Sequence, residues 1–140
     1  MPKEARPATA HTFTQARQDH AIETAADYVE LIDELRERTG EARGADLSQL
    51  LGVSHVTVSK TLQRLARDGY VVAKPYRSVF LTEKGRTLAE ASRARHRLVV
   101  ELLEHVGVTK EVAEADAEGM EHHVSEQTLT AIRAFLAKTP

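Results

Sequence analysis

The stretch from Ala45 to Leu81 limits the possible folds more than any other part of the chain. A short helical run to Leu51 is followed by Gly52-Val53-Ser54, then by Val58, Leu62 and Leu65 at helical spacing, and the run closes at Gly69. Apolar residues at i, i+4 and i+7 form one buried stripe on a helix, and Ser54 stands where an N-cap hydroxyl accepts from the first free amides. Directly afterwards, Tyr70-Val71-Val72-Ala73 and Val79-Phe80-Leu81 read as two β-strands joined through Lys74-Pro75-Tyr76-Arg77-Ser78.

Helix, glycine turn, helix and hairpin is the order of a winged helix-turn-helix, whose second helix enters the major groove of DNA. With Val58, Leu62 and Leu65 inward, helical geometry turns Ser54, His55, Thr57, Lys60, Thr61 and Arg64 outward. Hydroxyls and imidazole near the helix start suit base edges or phosphates, and Lys60 and Arg64 suit the charged backbone. Lys74 and Arg77 fall at the wing tip, within reach of an adjacent phosphate or the minor groove. The plainer alternative is a three-helix module with a basic surface; a hairpin placed straight after the second helix favours the DNA reader.

The rest of the chain reads as mainly α. Apolar residues make up 41% but aromatics only 4%, with no Trp, which favours helix-on-helix packing. A helix is expected from Ala21, with Tyr28, Leu31, Ile32 and Leu35 as its stripe and Gly40 as its stop. Thr82 is placed to cap a helix to about Val106, Gly107 to break it, and Thr109 and Ser125 to cap two more, the last ending near Lys138. The expected division is a mobile arm over 1–20, a winged helix-turn-helix DNA-binding domain over 21–90, and a helical dimerisation and metal-binding domain over 91–140.

A net charge of -2 conceals a division along the chain. Residues 43–95 carry ten Lys or Arg against four Asp or Glu, whereas 1–42 carry five against nine and 96–140 four against eight. A basic centre between acidic flanks predicts two binding tasks. The absence of Cys removes disulfides and thiolate metal sites, and with no long apolar run or signal-like N-terminus the expectation is a cytoplasmic protein with no membrane association.

In the acidic flanks, Glu118, Glu121 and His122 sit at i, i+3 and i+4 and would share a helical face, as would Asp27 and Glu30. His96 lies on the helix leading from the wing. Taken singly, each carboxylate group is better explained by a solvated face, and His96 by a surface or satisfied core histidine. Gathered together, four carboxylates would repel one another, and two divalent ions would cancel that charge; oxygen-rich donors without sulfur suit Mn²⁺. His123 points about 100° away from His122 on a helix and reads as structural or as a supporting partner. His11, His20 and His105 stay unassigned. A dimetal hydrolase is the rival from another class, but no nucleophile motif or Gly-rich phosphate loop accompanies the acids.

Across residues 21–138 the chain resembles the manganese-responsive branch of the diphtheria toxin repressor (DtxR/MntR) family. The resemblance is carried by Asp27-Tyr-Val-Glu30, Leu51-Gly-Val-Ser-His-Val-Thr-Val-Ser-Lys60, Tyr76-Arg-Ser-Val-Phe-Leu-Thr82, Arg95-His96 and Asp116-Ala-Glu118-Gly-Met-Glu121-His-His-Val-Ser125. It implies a homodimeric, metal-activated transcriptional regulator and not an enzyme, acting on a pseudo-palindromic operator in double-stranded DNA. It also implies that Asp27, Glu30, His96, Glu118, Glu121 and His122 hold two Mn²⁺ ions per protomer. Asp27 falls where iron-responsive relatives carry Met and Glu118 where they carry Cys, and no SH3-like domain is expected. Two departures stand out: Val56 occupies a position where relatives often have Pro, and the N-terminal arm is longer than in the shortest members.

Overall fold

A computed structural model of the protein describes residues 10–74 and 76–139, with side chains at 17, 18 and from 20 onward. Among these residues the order is α1 (Ala10–Thr39), α2 (Gly44–Leu51), α3 (His55–Arg67), β1 (Val71–Val72), β2 (Phe80–Leu81), α4 (Glu83–His105), α5 (Lys110–Met120), a single 3-10 turn (Glu121–His123) and α6 (Glu126–Lys138). None of these helices is long and apolar enough to cross a membrane.

The helix-turn-helix forms as its sequence dictates. Gly52 ends α2 in the left-handed region at φ 67°, and Ser54 caps α3 by accepting from the Thr57 amide at 3.1 Å. The hairpin pairs Val71 with Leu81 and Val72 with Phe80, antiparallel. Its strands are shorter than the apolar runs suggested because the Val79 amide donates to Ala42 O at 2.7 Å, in the loop between α1 and α2. The wing is thereby tied to the end of α1, where the Arg36 guanidinium lies 4.1 Å from the centre of the Phe80 ring. At the other end of the hairpin, Gly85 lets the first turn of α4 lie on the Tyr70 carbonyl, since a Cβ there would sit 2.1 Å from that oxygen.

Helix α1 begins earlier than the apolar period indicates. Residues 10–20, expected in a mobile arm, continue the helix, while residues 1–9 lie outside the described residues. Arg17, Gln18 and His20 are exposed, and the sequence of this extension carries no sustained apolar period; Ala, Gln and Arg suit the continuation of a helix nucleated downstream.

Two apolar clusters result. The larger joins Tyr28, Ile32 and Leu35 of α1 to Leu47, to Val58, Leu62 and Leu65 of α3, and to Val71 and Val79 at the hairpin. The smaller holds Val99 and Val100 of α4 against Ala113 and Ala117 of α5. Helix α4 runs unbroken past both, and an ion pair between Arg93 and Asp33 fastens it to α1.

Candidate metal centre and nucleic-acid interface

Between the two clusters the chain gathers charge. Helix α1 carries Asp27 and Glu30, α4 carries His96, α5 carries Glu118, and the 3-10 turn carries Glu121 and His122. The shared helical face expected for the last three is interrupted, because α5 ends at Met120 and the chain tightens into the turn. The tighter winding sends Glu121 inward to 1% exposure.

Glu121 is the hub. Its Oε2 lies 2.6 Å from His96 Nδ1, and its Oε1 lies 3.6 Å from His122 Nε2. Glu118 Oε1 is 3.7 Å from the same His96 Nδ1, and Asp27 Oδ1 is 3.5 Å from the same His122 Nε2. His96, Glu118 and Glu121 each offer a ligand atom within 4.8 Å of the others. Glu30 faces buried Ser92 and feels the charges of Glu118, Asp27 and His96. His123 is exposed on the far side of the turn, beside Asp116 and Met120.

Burial is costly for these acids. It raises the carboxyl pKa values of Asp27, Glu30 and Glu121 above the ordinary range, with Glu118 adding repulsion in each case and the nearby imidazoles or the Ser92 hydroxyl pulling back. His96 loses by burial too, yet its hydrogen bonds to Glu114 and Glu121 and their charge outweigh that loss and hold its proton above the usual imidazole value. A set of carboxylates and imidazoles without sulfur, gathered around the buried Glu121 with Glu118 on its exposed side, fits a hard divalent cation.

The candidate DNA face is formed by α3 and the wing. Ser54, His55, Thr57 and Lys60 are exposed on α3, and Thr61 and Arg64 are half-buried on its flanks. The Ser54 hydroxyl is engaged with Thr57 Oγ1 at 3.0 Å as part of the cap. Lys74 and Arg77 are exposed on the wing. A groove of about 610 Å³ runs between α3 and the wing, lined by Arg43, His55, Gln63, Lys74, Tyr76 and Arg77 among others.

Sequence reasoning passed over some residues. Gln63 and Arg67 share the exposed crest of α3 with Lys60 and with Val56, the position noted above as departing from relatives. Tyr76 is 100% exposed on the wing at φ 61°, an uncommon backbone state for a tyrosine. Glu114 meets His96 Nε2 at 2.6 Å. Its signal was present, since Glu114, Glu118 and Glu121 stand at i, i+4 and i+7.

Comparison with known proteins identifies the family. The family described as "Iron dependent repressor, N-terminal DNA binding domain" matches residues 20–79, and "Iron dependent repressor, metal binding and dimerisation domain" matches residues 82–139. The chain is 52% identical over 126 residues to a transcriptional regulator MntR of Escherichia coli O6:H1, covering 90% of this chain and 81% of that one. It is 38% identical over 99 residues to an HTH-type transcriptional regulator MntR of Bacillus subtilis strain 168, covering 71% and 70%. A solved "Manganese-dependent transcriptional repressor complex with manganese" superposes with a TM-score of 0.70 at 33% identity, over 80% of this chain and 52% of the other. The chain thus spans about half the length of that structure.

Proposed function

Since the chain belongs to the diphtheria toxin repressor family, in its MntR-type branch, and is a metal-responsive DNA-binding repressor and not an enzyme, we propose that its activating metal is Mn²⁺. Asp27, Glu30, His96, Glu118, Glu121 and His122 hold two ions per protomer. The observation that carries this reading is the bridge made by Glu121, whose two carboxylate oxygens face two different imidazoles, each with a second carboxylate beside it. Bound cations supply the positive charge that lets the four acids ionise together around the buried Glu121.

The ligands come from elements with different tasks. Asp27 and Glu30 belong to α1, which packs on the DNA-reading cluster, whereas His96, Glu118, Glu121 and His122 belong to the helices beyond the wing. Residues 21–90 form the DNA-binding unit and 91–140 the dimerisation and metal unit, with α4 common to both. Phe135, Val106 and Val112 leave apolar surface open on the second unit, which suits a homodimer. Closing the acid cluster fixes the angle between the units, and through the dimer the separation of two recognition helices, which a pseudo-palindromic operator tolerates only within narrow limits.

Lys60, Arg64, Lys74 and Arg77 hold the phosphate backbone, while His55, Thr57 and Thr61 sit nearest the base edges, with Ser54 keeping α3 aligned. The regulated genes are those for manganese uptake, and the protein acts in the cytoplasm. Fluorescence anisotropy on DNA upstream of metal-transporter genes tests the reading, with Mn²⁺, Fe²⁺, Co²⁺ and Zn²⁺ titrated in turn. Mn²⁺ is expected to tighten binding at least about tenfold, which requires only ~1.4 kcal/mol of coupling. Equal binding in EDTA overturns metal activation, and stronger activation by Fe²⁺ overturns the choice of metal.

A further inference from the structure

We propose that Glu114 is a positioning residue that sets which nitrogen of His96 carries the proton, keeping N–H at Nε2 and leaving Nδ1 bare for a cation. The inference rests on His96 being a metal ligand and extends that reading to a residue outside the six.

The geometry is specific. The His96 ring lies between two acids at opposite ends: Nε2 is 2.6 Å from Glu114 Oε2, and Nδ1 is 2.6 Å from Glu121 Oε2 with Glu118 Oε1 at 3.7 Å. Glu114 and Glu118 are one turn apart on α5, so a single helix presents one carboxylate to each end of the ring. The neighbours of Nδ1 belong to the close-set group with His96; Glu114, on the outer side and half-exposed, is not part of it.

A neutral imidazole has one N–H and one lone pair, and an ionised carboxylate only accepts. With the proton at Nδ1, the N–H would point at Glu118 and Glu121 and occupy the place of a cation. With the proton at Nε2, Glu114 accepts it, and the Nδ1 lone pair, 2.6 Å from Glu121 Oε2, takes either a proton donated by the Glu121 carboxyl or a cation in its place. A cation can then bind Nδ1 without the ring losing its remaining proton. A carboxylate behind a ligating histidine also fixes ring orientation and raises ligand basicity. Glu114 reaches His96 from a different helix, so it further clamps α5 to α4.

The test reads the ring and the metal separately. Long-range ¹H–¹⁵N correlation of imidazole-labelled protein, on the alkaline side of His96 titration and again with diamagnetic Cd²⁺, is expected to show His96 as the Nε2–H form. Glu114→Ala is expected to shift the apo ring toward a mixture of tautomers and to weaken Mn²⁺ binding by calorimetry about 10- to 100-fold. Glu114→Gln, whose amide oxygen can still accept from Nε2, should restore the tautomer and most of the affinity. An Nδ1–H ring in the unmodified protein overturns the proposal whatever the variants do, and so does Mn²⁺ affinity unchanged in a folded Glu114→Ala protein. If His96→Ala leaves Mn²⁺ affinity intact, it is the metal-site assignment itself that fails.

Discussion

The two halves of this molecule are held together by opposite means. The DNA-reading half buries a continuous apolar cluster from α1 through Val79 and satisfies its turns with local caps at Gly52, Ser54 and Thr82. The half beyond the wing has a much smaller apolar cluster, built largely from Ala and Val, and beside it a buried carboxylate ringed by acids and imidazoles. The first half is folded by removal of apolar surface from water, which needs no ligand. The second is electrostatically frustrated and gains most from a cation. In the proposed reading, a metal signal acts on the geometry between the halves and not on the fold of the reading head.

Perturbing the apolar half should give the largest effect. Leu65→Ala, at a site with 1% exposure, is expected to cost about 2–5 kcal/mol in denaturant unfolding, by nearly the same amount in EDTA and in Mn²⁺. A loss that disappears on adding Mn²⁺ would break the division. Next, Glu121→Gln should lower Mn²⁺ affinity by roughly 100-fold or more, exceeding what loss of a supporting partner costs, while the apo melting temperature holds or rises because a buried charge has gone. A large fall in apo stability would place Glu121 among the groups that build the fold.

The pH dependence sharpens the contrast further. Asp27, Glu30, Glu121 and His96 all hold protons above their ordinary pKa values. At these four groups the folded chain binds more protons than the unfolded one between the ordinary and raised values, so their contribution to apo stability is fully present below the ordinary carboxylate range. It is lost as pH climbs through the raised values toward and beyond the imidazole range. Scanning calorimetry in EDTA should show melting temperature declining across that window, and Mn²⁺ should flatten or reverse the slope. An apo melting temperature that climbs instead contradicts the assignment of those shifts.

Smaller effects belong to the reading face. Ser54→Ala removes the cap of α3 and is expected to cost ~1 kcal/mol of stability with Mn²⁺ affinity unchanged. Lys60→Ala should leave stability and Mn²⁺ affinity alone and reduce the salt dependence of operator binding by about one phosphate contact. If Lys60→Ala weakened Mn²⁺ binding, the two halves would not be separable by side chain.

What the chain discloses before folding follows the same contrast. The stripe Val58, Leu62, Leu65, the Ser54, Thr82 and Ser125 caps, and the break at Gly107 are local signals, and each lies where local physics puts it. The meeting of Asp27 with His122 and of His96 with Glu121 is a long-range fact that spacing alone does not contain; the family resemblance supplied it. Glu114 escaped because an exposed acid on a helix is usually just solvated, and only the direction of the His96 ring distinguishes it. The early start of α1 escaped because the sequence of residues 10–20 carries no sustained apolar period to read.

Helix α4 is a lever. It starts at the Thr82 cap against the wing, passes His96 midway and ends at His105 without interruption. Fourteen residues separate Thr82 from His96, an arm of roughly 21 Å at the helical rise. Swinging such an arm by only about 5° carries its far end through an arc of roughly 2 Å, comparable to a hydrogen-bond length. A tilt of a few degrees about His96 therefore moves the end of α4 that abuts the wing by about that distance, with α1, joined to α4 through Arg93 and Asp33 and to the wing through Val79 and Ala42, carried along.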